Sequence, residues 1–231
     1  MRKQFLVCAL ILLILLQACQ EEEVVPSNDS MTNIVNEEEI GHLNHDRRRR
    51  GIVSRSRVYE MGTDAQIRNA YSRIIRKERG VMGEFRSPAL NPSEVYTLWM
   101  IIFENPELCS DGQCGSDDIV DSDGKLMVNP DGSIGTPGVN VSSIWADGTI
   151  SDPIGRVIFR IRVEKNQAPG EVLYGPGLTD PIGSEIHFVA RTHGERLRDR
   201  INEQISTFAG GCDVNECQNQ QYAIHLPGGR R

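Results

Sequence analysis

The chain is poor in aromatic residues, at 6% of 231, and has no excess of positive charge. Lys and Arg number 25 against 32 Asp and Glu, a formal net charge of −7. That balance argues against a protein built mainly to hold nucleic acid phosphates. With 22 Gly and 11 Pro, a collagen-like chain is excluded. No apolar run exceeds the twelve residues of 5–16. A helix of twelve residues spans about 18 Å, well short of a hydrocarbon core of about 30 Å. A multi-span helical membrane protein is therefore excluded. G-x-S-x-G, H-E-x-x-H and the phosphate-binding loop are missing too, so common hydrolase and nucleotide chemistries lack support. What is present, 39% apolar residues over this length, suits one medium domain.

The apolar run at 5–16 follows Arg2 and Lys3 and ends in Leu16-Gln17-Ala18-Cys19. That order of basic start, short apolar core and small residue reads as a secretory signal. The last four residues resemble the lipobox of bacterial lipoproteins, with Gln17 departing from the usual small or aliphatic residue. The resemblance implies removal of residues 1–18 and lipidation of Cys19. It also implies membrane anchorage in the bacterial cell envelope, with the outer membrane as the expected address. Gln20-Glu21-Glu22-Glu23 resembles the surface-export tag of Bacteroidetes lipoproteins. A solvated acidic spacer explains those residues equally well, so the membrane face stays open.

Residues 19–50 are rich in charge and poor in large apolar side chains, and read as a flexible tether. The run Arg47-Arg48-Arg49-Arg50 is read as solvated linker, with a polyanion or protease site as the alternative. His42 and His45 form a lone H-x-x-H, a weak metal signal. From residue 51 to 231 short apolar stretches alternate with Gly, Pro, Asn and Asp, the texture of a single β domain.

Residues 95–103 are apolar on both alternating faces, which predicts a central strand covered on both sides. Residues 157–163 alternate cleanly, with Val157, Phe159, Ile161 and Val163 on one face and Arg160 and Arg162 on the other. Residues 141–147, 185–191 and 221–226 are three further strand candidates. Thr63-Asp64-Ala65-Gln66 has the form of a capping box, with Ile67, Tyr71, Ile74 and Glu78 on one stripe. This predicts a short helix from Asp64; a hairpin of 72–76 with 81–86 competes with it. Residues 198–208 are the best later helix. Strands do not alternate with helices, which disfavours a parallel α/β fold. The fold expected is mainly β, a β-sandwich with one or two short helices.

Beyond Cys8 and Cys19 the cysteines form two C-x4-C pairs, Cys109 with Cys114 and Cys212 with Cys217. Four cysteines allow three pairings. In an oxidising compartment disulfides are the default, and local pairing is the first expectation. A four-thiolate zinc site is the sharper alternative.

The segment 185–193 is the most informative for chemistry. Period two places Glu185, His187, Val189, Arg191 and His193 on one face of a strand. In 221–226, His225 lies opposite Tyr222, Ile224 and Leu226. If the two strands share a sheet, His187 and His225 are predicted on one side of it, with His193 at the strand end. Three imidazoles and Glu185 could ligate Zn²⁺ or Cu²⁺, or supply a general base. The structural reading has His187 and His225 hydrogen-bonded to Glu185, Gln221 or each other. Asp117, Asp118, Asp121 and Asp123 lie in a Gly/Asp-rich connection and are candidates for an irregular Ca²⁺ loop. An EF-hand is excluded, because Ile119 and Pro130 fall at ligand positions. An exposed loop with turns at Asp123-Gly124 and Asp131-Gly132 is the default.

Tyr96-Thr97-Leu98-Trp99, then Phe103-Glu104-Asn105-Pro106-Glu107 with Cys109, resemble one end of the signature of a group of uncharacterised exported bacterial proteins. Glu185-Ile186-His187 through Thr192-His193-Gly194, Glu203-Gln204, Gly210-Gly211-Cys212 and Gln221-Tyr222-Ala223-Ile224-His225 resemble the rest. The resemblance covers roughly residues 88–227 and implies one domain, with no activity to carry over. The expected function is a lipid-anchored envelope protein with a non-catalytic binding or structural β domain. It needs no cofactor, and its expected partner is an envelope polysaccharide or protein, not nucleic acid. The alternative is a metal-dependent enzyme using His187, His193 and His225.

Overall fold

The computed structural model describes residues 51–228. The expected signal segment, Cys19, the tether, His42, His45 and the Arg47–Arg50 run lie outside them. Nine strands form one antiparallel sheet: β1 (Ile52–Glu60), β2 (Gln66–Lys77), β3 (Gly80–Ser87), β4 (Glu94–Phe103), β5 (Val141–Ile150), β6 (Val157–Glu164), β7 (Val172–Tyr174), β8 (Glu185–Glu195) and β9 (Gln218–His225). Their order across the sheet is β6-β3-β2-β1-β9-β8-β4-β5-β7. One helix of six residues, α1 (Ile201–Ser206), precedes β9.

The mainly-β class agrees with the sequence reading; the division into two sheets does not. The sheet is continuous and curls until β5 approaches β6. Right-handed twist accumulates over many strands, so a sheet of this width covers its own apolar face. A bulge on β5 opposite Leu98 and Trp99 sharpens the bend. Just beyond it the Asp147 carboxylate accepts the backbone N–H of Arg160 on β6 at 2.6 Å and of Gly148 at 2.9 Å. One side chain thus caps part of the open β6 edge.

The core lies on the concave face. Ile74, Phe85, Leu98, Met100, Ile102, Ile144, Phe159 and Phe188 are all fully buried there. Each such side chain contributes roughly 1.5–3 kcal/mol on burial. β6 alternates as predicted, its apolar face in the core and Ile158, Arg160 and Arg162 in water. β4 sits between β8 and β5 and is covered on both faces, also as predicted.

The helix predicted from Asp64 is absent; residues 66–77 are strand β2, and the competing hairpin is the one formed. Asp64 has φ +56° and Asn69 φ +62°, the left-handed region, which no helix start adopts. The Thr63 hydroxyl donates to Glu60. Ala70, Ser72, Ile74 and Arg76 alternate inward, so period two overrides the capping signal.

Two elements cover the outer face. The connection 104–140 packs a small second cluster, Cys109, Cys114 and Val139, against Phe103 and Val141. The other cover is α1 with the segment after it. Trp145 Nε1 donates to the Ile205 carbonyl at 2.8 Å, and Phe208 meets the Trp99 ring edge-on. Gly148 makes that approach close: a Cβ there would sit 1.9 Å from the Ile205 oxygen.

Candidate functional site

Strand β8 carries Glu185, His187 and His193, and β9 carries His225. In the β8–β9 pairing Ile186 faces His225 and His187 faces Ile224. Directly opposed residues point the same way, so His225 joins Ile186, Phe188 and Ala190 in the core while His187 lies on the outer face. The prediction of one shared side is therefore wrong. Face parity within each strand was right; the register between them inverts the pair. The outward row of β9 is the apolar one, with Leu226 exposed beyond it.

Each histidine then has its own setting. His225 is fully buried, with Ser54 Oγ 2.9 Å from Nδ1 and Ser72 Oγ 2.8 Å from Nε2. The Phe188 ring meets it edge-on at 5.7 Å. Arg76, also fully buried, donates to the carbonyls of Pro181, Ser184, His225 and Leu226 at 2.9–3.0 Å. It ties β2, the turn before β8 and the end of β9 together. Burial first, then the Arg76 and His187 charges, push the His225 imidazole down to about 3. It is neutral at ordinary pH.

His187 lies 2.7 Å from Glu185 Oε1 through Nε2, and its ring packs 4.9 Å from Phe103. Both side chains are buried on the outer face. This is the local pairing with Glu185 that the structural reading anticipated. His193 closes a third arrangement. Trp99 Nε1 donates to Thr97 Oγ1 at 2.9 Å. With that oxygen accepting, its own proton goes to His193 Nε2 at 2.8 Å, and Nδ1–H donates to the Gly210 carbonyl at 2.7 Å. Burial lowers the His193 imidazole to about 4 against the pull of the Gly210 carbonyl, and the Arg191 charge lowers it further. All four polar positions in this chain are satisfied.

The three histidines and Glu185 do not form one metal centre among the described residues. The ligand set that does converge is His193, Cys212 and Cys217, whose ligand atoms lie within 4.8 Å of one another. Sequence reasoning missed it, because Cys217 meets His193 only through the bulge in the β8–β9 ladder. Cys217 Sγ is 3.7 Å from His193 Nδ1. The two sulfurs are bonded to each other, as are those of Cys109 and Cys114. Local pairing is the expected one, and it removes the four-thiolate zinc alternative. A disulfide offers no thiolate, so this set could hold a soft cation only after reduction.

The carboxylates of the 104–140 connection serve its turns and do not converge on a cation position. Asp118 is fully buried and accepts N–H groups of Ser110 and Gly115 and the hydroxyl of Thr136. Asp117 accepts from the Ser110 hydroxyl. Asp121 Oδ1 accepts the N–H groups of Asp123 and Lys125. Asp123 is exposed and lies 3.9 Å from the Lys125 ammonium. The candidate calcium loop is a set of Asx turns around one buried carboxylate.

A further cluster of charge lies on the outer face of β1, β2, β3 and β6. Register places three rows across these strands. Arg55 faces Arg73, Arg73 faces Glu84, and Glu84 faces Arg160. Beside it run Arg57, Tyr71, Arg86 and Ile158, and on the other flank Val53, Ile75, Met82 and Arg162. Six arginines and one glutamate share this block, on a chain of net charge −7. Across strands the neighbours stand about 4.8 Å apart and along them about 6.7 Å. Arg55, Arg73 and Arg160 make no side-chain ion pair with any described residue, whereas Arg162 lies 3.3 Å from Glu164. The sequence reading turned Arg160 and Arg162 outward but did not see β1, so this face could not be assembled from it. Compared with known proteins, the chain matches no family model, no curated protein and no solved structure.

Proposed function

We propose that this chain is a lipid-anchored bacterial envelope protein whose β domain binds a partner and performs no chemistry. Cys19 would carry the lipid, residues 20–50 would act as the tether, and the outer membrane is the proposed address. The likeness to a group of uncharacterised exported proteins, carried by the YTLW, EIHFVARTHG and C-x4-C stretches, accords with this reading. The single observation that supports binding is the exposed arginine block on an otherwise acidic chain. Arg55, Arg73 and Arg160 make no side-chain ion pair with any described residue, and like charges gathered on one face repel one another, so this face suits a partner of opposite sign. The histidines, by contrast, are held in internal hydrogen bonds at three separate places.

The test has two parts. Intact mass of the protein recovered from bacterial membranes should show residues 1–18 removed and acyl chains on Cys19. Purified protein should bind a polyanion in a salt-dependent way. A chain that keeps Met1, carries no acyl group and binds no polyanion contradicts the proposal.

A further inference from the structure

Resting on the binding reading above, we infer that the arginine block is a docking face for an acidic polysaccharide. The charges are spread over four strands as an array about 14 Å wide, which fits an extended polymer better than a small ion. All six cations are arginine, whose planar fork pairs bidentately with carboxylate, sulfate or phosphate oxygens.

The edge of the array adds features suited to a sugar. Tyr71, Arg86 and Ile158 also line an open concavity of about 430 Å³, together with Asn69, Asp152 and Arg156. Tyr71 is exposed, and Arg86 lies over its ring at 5.7 Å while donating to its hydroxyl. The phenol in turn donates to Glu84 at 2.8 Å, which holds the ring in place. A fixed aromatic face and the Asn69 amide beside arginines provide stacking and hydroxyl contacts that an acidic glycan would use, while the Asp152 carboxylate is held by Arg156 and by the N–H groups of its own turn. A flat bilayer surface would not enter the concavity. Single-stranded nucleic acid favours successive aromatic platforms; the block itself has Tyr71 alone, and the neighbouring Tyr59 and Tyr222 rings stack on each other.

The full chain, in neutral detergent, is titrated with polygalacturonate, neutral dextran, phosphatidylglycerol vesicles and oligo(dT). The inference predicts tightest binding to polygalacturonate, weakening as salt rises, and none to dextran. Each arginine at a polyanionic surface carries roughly a fivefold effect, so R55Q/R73Q/R160Q together should lose about a hundredfold. The control R196Q/R198Q, outside the block, should bind as the parent does. If the triple variant has a shifted urea midpoint, R57Q/R86Q at the edge of the array is read in its place, with the same direction of loss. Binding to oligo(dT), or vesicle binding that R55Q/R73Q/R160Q weakens and that therefore does not come from the acyl anchor alone, tighter than to polygalacturonate, overturns the glycan inference and leaves the binding reading intact. So does polygalacturonate binding that the arginine variants do not weaken. No binding to any polyanion overturns both.

Discussion

Acidification should destabilise this domain well before its carboxylates titrate. The perturbation is protonation of the two histidines held neutral inside it. An unfolded imidazole takes up its proton near pH 6.5. Folded His225 resists until about 3 and folded His193 until about 4. Between those limits the unfolded chain binds more protons, so stability is full above pH 6.5 and is lost as pH falls. The loss approaches 1.4 kcal/mol per pH unit for each group. From pH 7.5 to 5.0 each histidine accounts for up to about 2 kcal/mol, or about 4 kcal/mol together. That is a large part of the 5–15 kcal/mol typical of a domain. Urea unfolding followed by tryptophan fluorescence at both pH values measures it. H225N can keep a hydrogen bond to a serine hydroxyl without titrating, so it should lose about half the pH dependence. H193N/H225N should lose most of it. Stability that does not change between pH 7.5 and 5.0 would refute the assignment, as would a double variant with the parental slope.

Three further outcomes follow from the geometry. G148A should destabilise by about 1–3 kcal/mol in urea, since a methyl group collides with the Ile205 carbonyl oxygen. R76M should cost at least about 3 kcal/mol in the same assay, because it strands three buried carbonyl oxygens and a fourth, of Leu226, that is part-buried. Elemental analysis of the oxidised protein should find no stoichiometric zinc or copper, since Cys212 and Cys217 are bonded to each other. Near-stoichiometric metal that H193A removes would contradict that.

What the sequence discloses here is parity; what it withholds is register. The apolar faces of β4 and β6 are readable because alternation within one strand needs no partner. The two C-x4-C pairs are readable because a five-residue separation lets each close locally. His187 and His225 could not be placed on faces relative to each other, because a one-residue change in pairing flips every side chain. β2 was hidden by Thr63-Asp64-Ala65-Gln66, a helix-start pattern that here sits in a turn with Asp64 at positive φ. β1 escaped notice because Ile-Val-Ser-Arg-Ser-Arg-Val offers only a weak apolar alternation. Its inner Ser54 and Ser56 are polar, and Ser54 faces a buried histidine. The arginine block draws on four strands from two separate stretches of chain, so no local window contains it. Curling of one sheet, in place of two stacked sheets, likewise depends on pairings between distant strands.

The most direct test of the account is the salt dependence of polygalacturonate binding by the unaltered chain. Binding through the arginine block predicts an affinity that falls steeply and linearly on logarithmic axes as salt rises, with a shallower slope for R55Q/R73Q/R160Q. An affinity indifferent to salt, or an unchanged slope in that variant, would contradict it.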